Sequence, residues 1–130
     1  MPIRKETQLY NSVKSLLPLV HWQRIESGAI GQGIPDINAC FQGIEFWIEL
    51  KIIVGHRFRS PLKAFQAAWI TRRTNAGGRC FILAEKSCLW YLWRGDKAIK
   101  LCELGPKKVA PNLKLMKPIN KTKLLKFLLS

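Results

Sequence analysis

Acidic side chains are scarce in this chain. Eight Asp and Glu stand against 22 Lys and Arg, and the formal net charge is +14 with an isoelectric point of about 10.1. After Glu103 there is no acid at all, while that stretch holds seven Lys and three of the seven Pro. A field of this sign repels cations and attracts polyanions. Nucleic acid is therefore the expected partner, with its phosphates supplying most of the affinity. Metal-binding cysteine patterns are also missing. The four Cys stand at 40, 80, 88 and 102 with no C-x-x-C spacing, and the histidines, His21 and His56, lie elsewhere, so a zinc site is not expected. Cys40, Cys80 and Cys88 fall in apolar, strand-like runs, where free Cys behaves as a small hydrophobe, and a reducing intracellular compartment fits. No apolar run is long enough to cross a bilayer, and MPIRKETQLY has no apolar signal core. The expectation is an intracellular protein with no membrane association.

Hydrophobic residues make up 48% of the 130, with five Trp among them, enough for one core without disulfide or metal staples. There is no internal repeat, low-complexity run or sharp change of composition. The expectation is one domain over 1–130, with a core of about 3–103 and a basic tail, 104–130, that no pattern places.

Leu9, Val13, Leu16, Leu17 and Val20 recur at helical spacing, and Pro18 limits that first helix. Glu6, three residues before Leu9, continues the apolar face instead of the solvent face. VHWQRIES reads as a strand. GAIGQG, with three glycines in six residues, reads as a loop free to approach a ligand. PDINACF and IEFWIEL flank Gln42-Gly43 as a hairpin, although Gln is a poor residue where positive φ is needed. IIVGHRFR reads as a strand end entering a flexible basic loop. Ser60-Pro61 reads as the N-cap and first position of a helix with Leu62, Phe65 and Trp69 on its apolar stripe, stopped by Gly77-Gly78. RCFILAE and SCLWYLWR are two more strands joined through Glu85-Lys86-Ser87, and RGDKAIKL reads as an edge strand. The tail begins as extended, irregular chain, and NKTKLLKFLLS closes as a short amphipathic helix.

The few acids are concentrated oddly. Along IEFWIELK the side chains alternate, so Glu45, Trp47, Glu49 and Lys51 share one face while Phe46, Ile48 and Leu50 face the core. Glu49 and Lys51 project side by side, roughly 7 Å apart along the strand. With the turn at Gln42-Gly43, Phe41 pairs with Ile44 and Asp36 falls opposite Glu49, their Cβ atoms about 4.5–5.5 Å apart. A one-residue slip would send the acids to opposite faces. Two close carboxylates repel, and a dry site keeps one protonated unless a cation intervenes. Lys51 supplies part of that charge and a divalent ion could supply the rest. Few hard oxygen ligands without a full cage suit Mg²⁺ completed by substrate phosphate. The pattern points to a metal-dependent phosphodiesterase. Glu45, opposite Cys40 in this register, reads as an exposed strand residue.

Pro35-Asp36 followed by Glu49-Leu50-Lys51 resembles the PD-(D/E)xK nuclease signature. The layout over about residues 3–95 is most similar to viral replication–repair nuclease (VRR-NUC) domains, with Holliday-junction resolvases close behind. The resemblance implies an α/β fold, a restriction-endonuclease-like core with a central mixed β-sheet flanked by helices. It implies hydrolysis of the DNA backbone to a 5′-phosphate and a 3′-hydroxyl, with Mg²⁺ or Mn²⁺ as cofactor. Asp36, Glu49 and the Leu50 main-chain carbonyl would be metal ligands, with Glu6 bound directly or through water. Lys51 would orient or deprotonate the attacking water, or neutralise the transition state. Gln66 resembles the Gln that these nucleases carry on the helix after the core strands. Ser27 resembles a loop Ser near resolvase sites. Arg57, Arg59, Lys63, Arg72 and Arg73 would surround the cleft and contact DNA phosphates.

Three functions remain open at this level. One is a structure-selective endonuclease, expected as a homodimer, cutting branched DNA such as four-way junctions. Another is a flap or nicking nuclease, or the nuclease module of a replication, repair or restriction system; for any of them a phage or bacterial host is the expected source. The third is a non-catalytic basic DNA-binding protein whose acids are structural.

Overall fold

A computed structural model describes residues 4–26 and 33–130. The first helix, α1 (Glu6–Leu16), buries Leu9, Tyr10 and Val13. Its entry is fixed by Gln8, whose Oε1 accepts the Lys5 main-chain N–H at 2.7 Å. It ends ahead of Pro18, and Leu17 and Val20 continue its apolar face into the core from the connecting turn.

Strands β1 (His21–Arg24), β2 (Ile37–Phe41) and β3 (Ile44–Val54) form an antiparallel meander. Gln42 and Gly43 both take positive φ, 49° and 81°, the mirror-image two-residue turn that matches strand twist. The expected register follows: Phe41 faces Ile44, Cys40 faces Glu45 and Ile37 faces Ile48. The long β3 turns at Gly55-His56 into β4 (Arg57–Phe58), with Val54 opposite Arg57. The expected flexible loop here is a tight hairpin, because Gly55 adopts φ of 64° and Phe58 is buried.

Helix α2 (Ala64–Asn75) carries the chain across to β5 (Cys80–Lys86), which runs parallel to β3. The helix starts later than Ser60-Pro61 suggested. Lys63 is the N-cap residue, and Gln66, not Ser60, satisfies the cap by accepting the Lys63 N–H at 2.9 Å. Strand β6 (Leu89–Arg94) returns antiparallel with Lys86 opposite Leu89, so the turn is Ser87-Cys88 and the expected connector residues Glu85 and Lys86 belong to β5. RGDKAIKL is not an edge strand. It forms a 3₁₀ turn (Gly95–Lys97) and α3 (Ala98–Leu104), burying Ala98 and Leu101 at helical spacing. The outer position on this side of the sheet is taken by the tail, as β7 (Leu113–Met116) paired to β6. The last helix, α4 (Lys121–Leu128), forms where the amphipathic pattern placed it. Asn120 caps it by accepting the Lys123 N–H, and Leu124 and Leu128 are fully buried.

The sheet order is β1-β2-β3-β5-β6-β7, with β4 on β3; β3–β5 is the parallel pair. Period-two alternation divides the core in two. Phe46, Ile48, Leu50, Phe81 and Leu83 pack with α1 and α4. On the opposite face Ile53, Ile82, Ala84 and Trp93 pack with α2 and α3. A buried acid ties the chain ends to the first layer: Glu85 meets Arg4 Nε at 3.2 Å and Lys117 Nζ at 3.1 Å, and accepts from Trp90 Nε1 at 2.8 Å. No helix among the described residues is long and apolar enough to cross a membrane.

Candidate active site

Glu49 and Lys51 lie on the α2 face of β3 and are almost wholly buried, at 2% and 4% exposure. Asp36 lies one residue before β2, where the hairpin register carries it beside Glu49. Its Oδ2 accepts the Leu50 main-chain N–H at 2.8 Å, while its own carbonyl accepts the Ile25 N–H at 2.8 Å. These two bonds fasten Asp36 between β1 and β3.

The Lys51 ammonium lies 3.3 Å from Glu49 Oε2 and donates to the Pro61 carbonyl at 3.3 Å. Gln66 Nε2 donates to the same Glu49 oxygen at 3.2 Å. The other oxygen, Oε1, is buried with no hydrogen-bond partner among the described residues. Burial, with the charge of Asp36 added to it, pushes the Glu49 carboxyl up to about 8 despite Lys51. Burial also raises Asp36, opposed first by the Leu50 N–H and then by Lys51. Removing two anions from water is costly, and one ammonium does not compensate both. Such a pair gains from a divalent cation, and the orphaned Oε1 is an acceptor for one. The residues fit an ion of the Mg²⁺ or Mn²⁺ kind, with Asp36 and Glu49 as its protein carboxylates and other positions left for water and substrate oxygens.

Glu6 does not join this pair in a three-acid cluster, and among the described residues no group of three His, Cys, Asp or Glu side chains could hold a metal. Both Glu6 oxygens are engaged by Arg59 Nη2, at 2.9 and 2.8 Å, and Arg59 Nη1 also donates to the Arg4 carbonyl. Leu50 contributes its N–H to Asp36. Arg57 is exposed at the start of β4. Lys63 at the α2 N-cap reaches over the Phe65 ring. Arg72 and Arg73 are in the last turn of α2, where Arg73 stacks over Trp69 at 4.8 Å and Trp47 at 5.4 Å. Ser27 and the segment 28–32 of the glycine-rich loop lie outside the described residues.

Two contributors, Pro61 and Asn38, escaped the sequence reading, and a third, Gly33, plays a part other than the one expected of its loop. Pro61 accepts from Lys51 through its carbonyl, a role no side chain announces. Gly33 has φ of 78°, and a Cβ there would strike the Phe65 carbonyl, so this glycine allows the chain before Asp36 to lie directly on the first turn of α2. The close approach expected of the loop is, at this glycine, an approach to the helix that bears Gln66. Asn38 shares the face of Asp36, and its Nδ2 is buried without a partner among the described residues. Strand period two from Asp36 was the available signal for it.

No family model matches the sequence, and no curated protein matches it. The fold does have solved counterparts. One is the 1.6 Å structure of Archaeoglobus fulgidus Hjc, a Holliday junction resolvase from an archaeal hyperthermophile. It aligns with a TM-score of 0.54 at 15% identity, covering 86% of this chain and 88% of that one. The likeness is one of fold: a central mixed sheet flanked by helices, the α/β architecture expected from the sequence and that of the Hjc resolvase.

Proposed function

We propose that this protein is a metal-dependent endodeoxyribonuclease of the PD-(D/E)xK type that hydrolyses branched DNA, four-way junctions above all. The observation that carries the proposal is the half-buried Asp36 beside the fully buried Glu49, with Glu49 Oε1 unpartnered among the described residues and Lys51 3.3 Å from Oε2. A structural surface acid would be solvated or fully paired; this one is neither. The fold shared with a Holliday junction resolvase favours the junction over the flap. The +14 charge supplies the attraction to phosphate.

In this reading Asp36 and Glu49 would hold Mg²⁺ or Mn²⁺, with the Leu50 carbonyl as a further ligand and Glu6 as a ligand directly or through water if Arg59 engages phosphate instead. The ion would act as a Lewis acid and lower the pKa of a bound water. Gln66 holds the Glu49 carboxylate in one orientation. Lys51, fixed between Glu49 and the Pro61 carbonyl, orients the attacking water or neutralises charge as the phosphorus–O3′ bond breaks, leaving a 5′-phosphate and a 3′-hydroxyl. Arg57, Lys63, Arg72 and Arg73, with Ser27 from the glycine-rich loop, contact the DNA backbone and position it. A homodimer matches the two-fold symmetry of a four-way junction.

The test is a panel of junction, flap, fork, nicked and linear DNAs with Mg²⁺ or Mn²⁺, alongside sizing of the free protein. Junction cleavage that disappears in Asp36→Ala and Glu49→Ala while binding survives supports the proposal. Binding without cleavage of any form by the wild-type protein would sink it and leave a basic DNA-binding protein.

A further inference from the structure

The lysine-rich tail builds a second feature on the active face of the sheet. The loop 105–112 folds back across the α2/α3 face and is pinned at four points. Trp93 Nε1 donates to the Val109 carbonyl at 2.8 Å, and Lys97 Nζ to the Ala110 carbonyl at 2.9 Å. The Asn112 N–H reaches the Leu92 carbonyl at 2.8 Å, and Asn112 Oδ1 accepts the Arg94 N–H at 2.9 Å. Between this loop and the β3–β4 turn lies a cavity of about 250 Å³. Ile53, Tyr91 and Trp93 form its floor, prolines 106 and 111 stand in its wall, and among the described residues no carboxylate lines it. Lys86 and Lys107 supply its charge, and His56 lines it between them and the β3–β4 turn. Lys114 Nζ adds another cation 5.7 Å from the Tyr91 ring centroid.

The cavity continues toward the catalytic residues. A neighbouring hollow of about 520 Å³ shares His56, Pro106 and Lys107 with it and adds Arg57, Lys108 and Pro61, with Glu103 the one acid on its lining among the described residues. Pro61 is the residue whose carbonyl accepts Lys51 Nζ. Ile53, on the cavity floor, follows Lys51 by two residues on the same face of β3. The two hollows thus make one cationic furrow from the surroundings of Lys51 to the half-buried ring of Tyr91.

We propose that this furrow binds an unpaired DNA strand beside the cleaved phosphate, with a base against Tyr91 and the strand's phosphates on Lys86, Lys107 and Lys108. The proposal rests on the reading that DNA is the substrate. Its chemistry is that of single-strand binding, in which a positive groove tracks the backbone and an aromatic ring receives a base face regardless of sequence. A duplex presents a convex backbone surface with its bases stacked inside. It can bridge the lysines on the rim but cannot bring a base to a ring recessed between two loops. The furrow therefore selects DNA whose strands part near the cut, as they do at a branch.

The experiment measures binding of a short oligo-dT and of a blunt duplex of equal length by fluorescence anisotropy, in EDTA, across a salt series. Tyr91→Leu is expected to weaken oligo-dT binding roughly tenfold and leave duplex binding within about twofold, while Tyr91→Phe binds as wild type. Lys86→Ala/Lys107→Ala is expected to weaken oligo-dT binding by a similar factor and to lower the salt slope by about 1.4. Tyr91→Gln, which also removes the ring, decides the matter if Tyr91→Leu does not fold. Unchanged oligo-dT binding in the Tyr91 variant, or equal losses for both DNAs in it, overturns the furrow. Cleavage assays with Mg²⁺ separate the two readings. Wild-type cleavage with a Tyr91-indifferent strand affinity sinks the furrow alone. Tyr91-dependent strand binding without cleavage sinks the nuclease alone.

Discussion

Gln66 joins a helix terminus to the candidate catalytic strand through a single amide. Its Oε1 accepts the Lys63 N–H at 2.9 Å and its Nε2 donates to Glu49 Oε2 at 3.2 Å. The capping bond decides which end of the amide faces the carboxylate, so start of α2 and orientation of Glu49 are set together.

Replacing Gln66 separates those two duties. Gln66→Ala loses both and is expected to cost about 1–2 kcal/mol of stability and roughly 10- to 100-fold in single-turnover cleavage, as for other groups that orient a metal-ligating carboxylate. Gln66→Glu keeps an acceptor for Lys63 but brings a third carboxylate to Asp36 and Glu49. It should cleave as poorly as the Ala variant while unfolding at a higher temperature. A Gln66→Glu enzyme of wild-type activity would show that the donated bond is not needed.

Glu49 makes the metal-free protein sensitive to pH. Its carboxyl is pushed up to about 8 from an ordinary value of 4.5, so the folded chain holds the proton more tightly than the unfolded chain. That contribution is fully present below pH 4.5 and is lost as pH rises through about 8. The unfolding midpoint in EDTA is expected to fall over this interval, and Glu49→Gln should flatten the fall. If a cation replaces the proton, as proposed, Mn²⁺ should stabilise the wild-type protein more at about pH 8 than at about pH 6, with proton release seen by calorimetry in two buffers. Equal stabilisation of Glu49→Gln by Mn²⁺ would place the ion elsewhere.

Glu6 and Arg59 give a separate readout. The pair is about one third exposed on each side, so its worth to stability is small, about 0–1 kcal/mol. Glu6→Ala and Arg59→Ala should both unfold close to wild type. If Glu6 joins the metal site when Arg59 turns to phosphate, Arg59→Ala should bind Mn²⁺ more tightly in the absence of DNA and bind junction DNA more weakly. Unaltered Mn²⁺ affinity in Arg59→Ala would leave Glu6 as a structural partner of that arginine.

Two glycines with left-handed backbone should differ in their tolerance of a methyl group. Gly43 has φ of 81° and open space where a Cβ would stand, so Gly43→Ala should cost about 1–2 kcal/mol from backbone conformation alone. Gly33 has φ of 78° and would also drive its Cβ into the α2 main chain. Gly33→Ala should cost more than Gly43→Ala by thermal unfolding, and should depress cleavage because Asp36 and Gln66 are pushed apart. Equal effects would mean that the chain before Asp36 does not rest on α2.

The hairpin shows how far sequence patterns reach. Gln42-Gly43 and the alternation of IEFWIELK specify the register that brings Asp36 to Glu49, because strand period and turn length are local properties. The same local logic placed α1 and α4 by their apolar stripes. It failed at Gly95–Leu104, where a helix buries Ala98 and Leu101 against α2 and so overrides a weak strand pattern. It failed also at α2, where Ser60-Pro61 resembles a cap but Pro61 is needed as an acceptor for Lys51.

By itself the sequence determined the charge, the hairpin register and the identity of the acid–acid–lysine group, since each follows from composition or from neighbours along one or two strands. Tertiary structure alone decided that Gln66 faces Glu49, that Arg59 engages Glu6, and that the tail pairs as β7 and walls a furrow beside Lys51. Those contacts join segments far apart in the chain, and their geometry depends on how helices pack across a mixed sheet, which no local periodicity encodes.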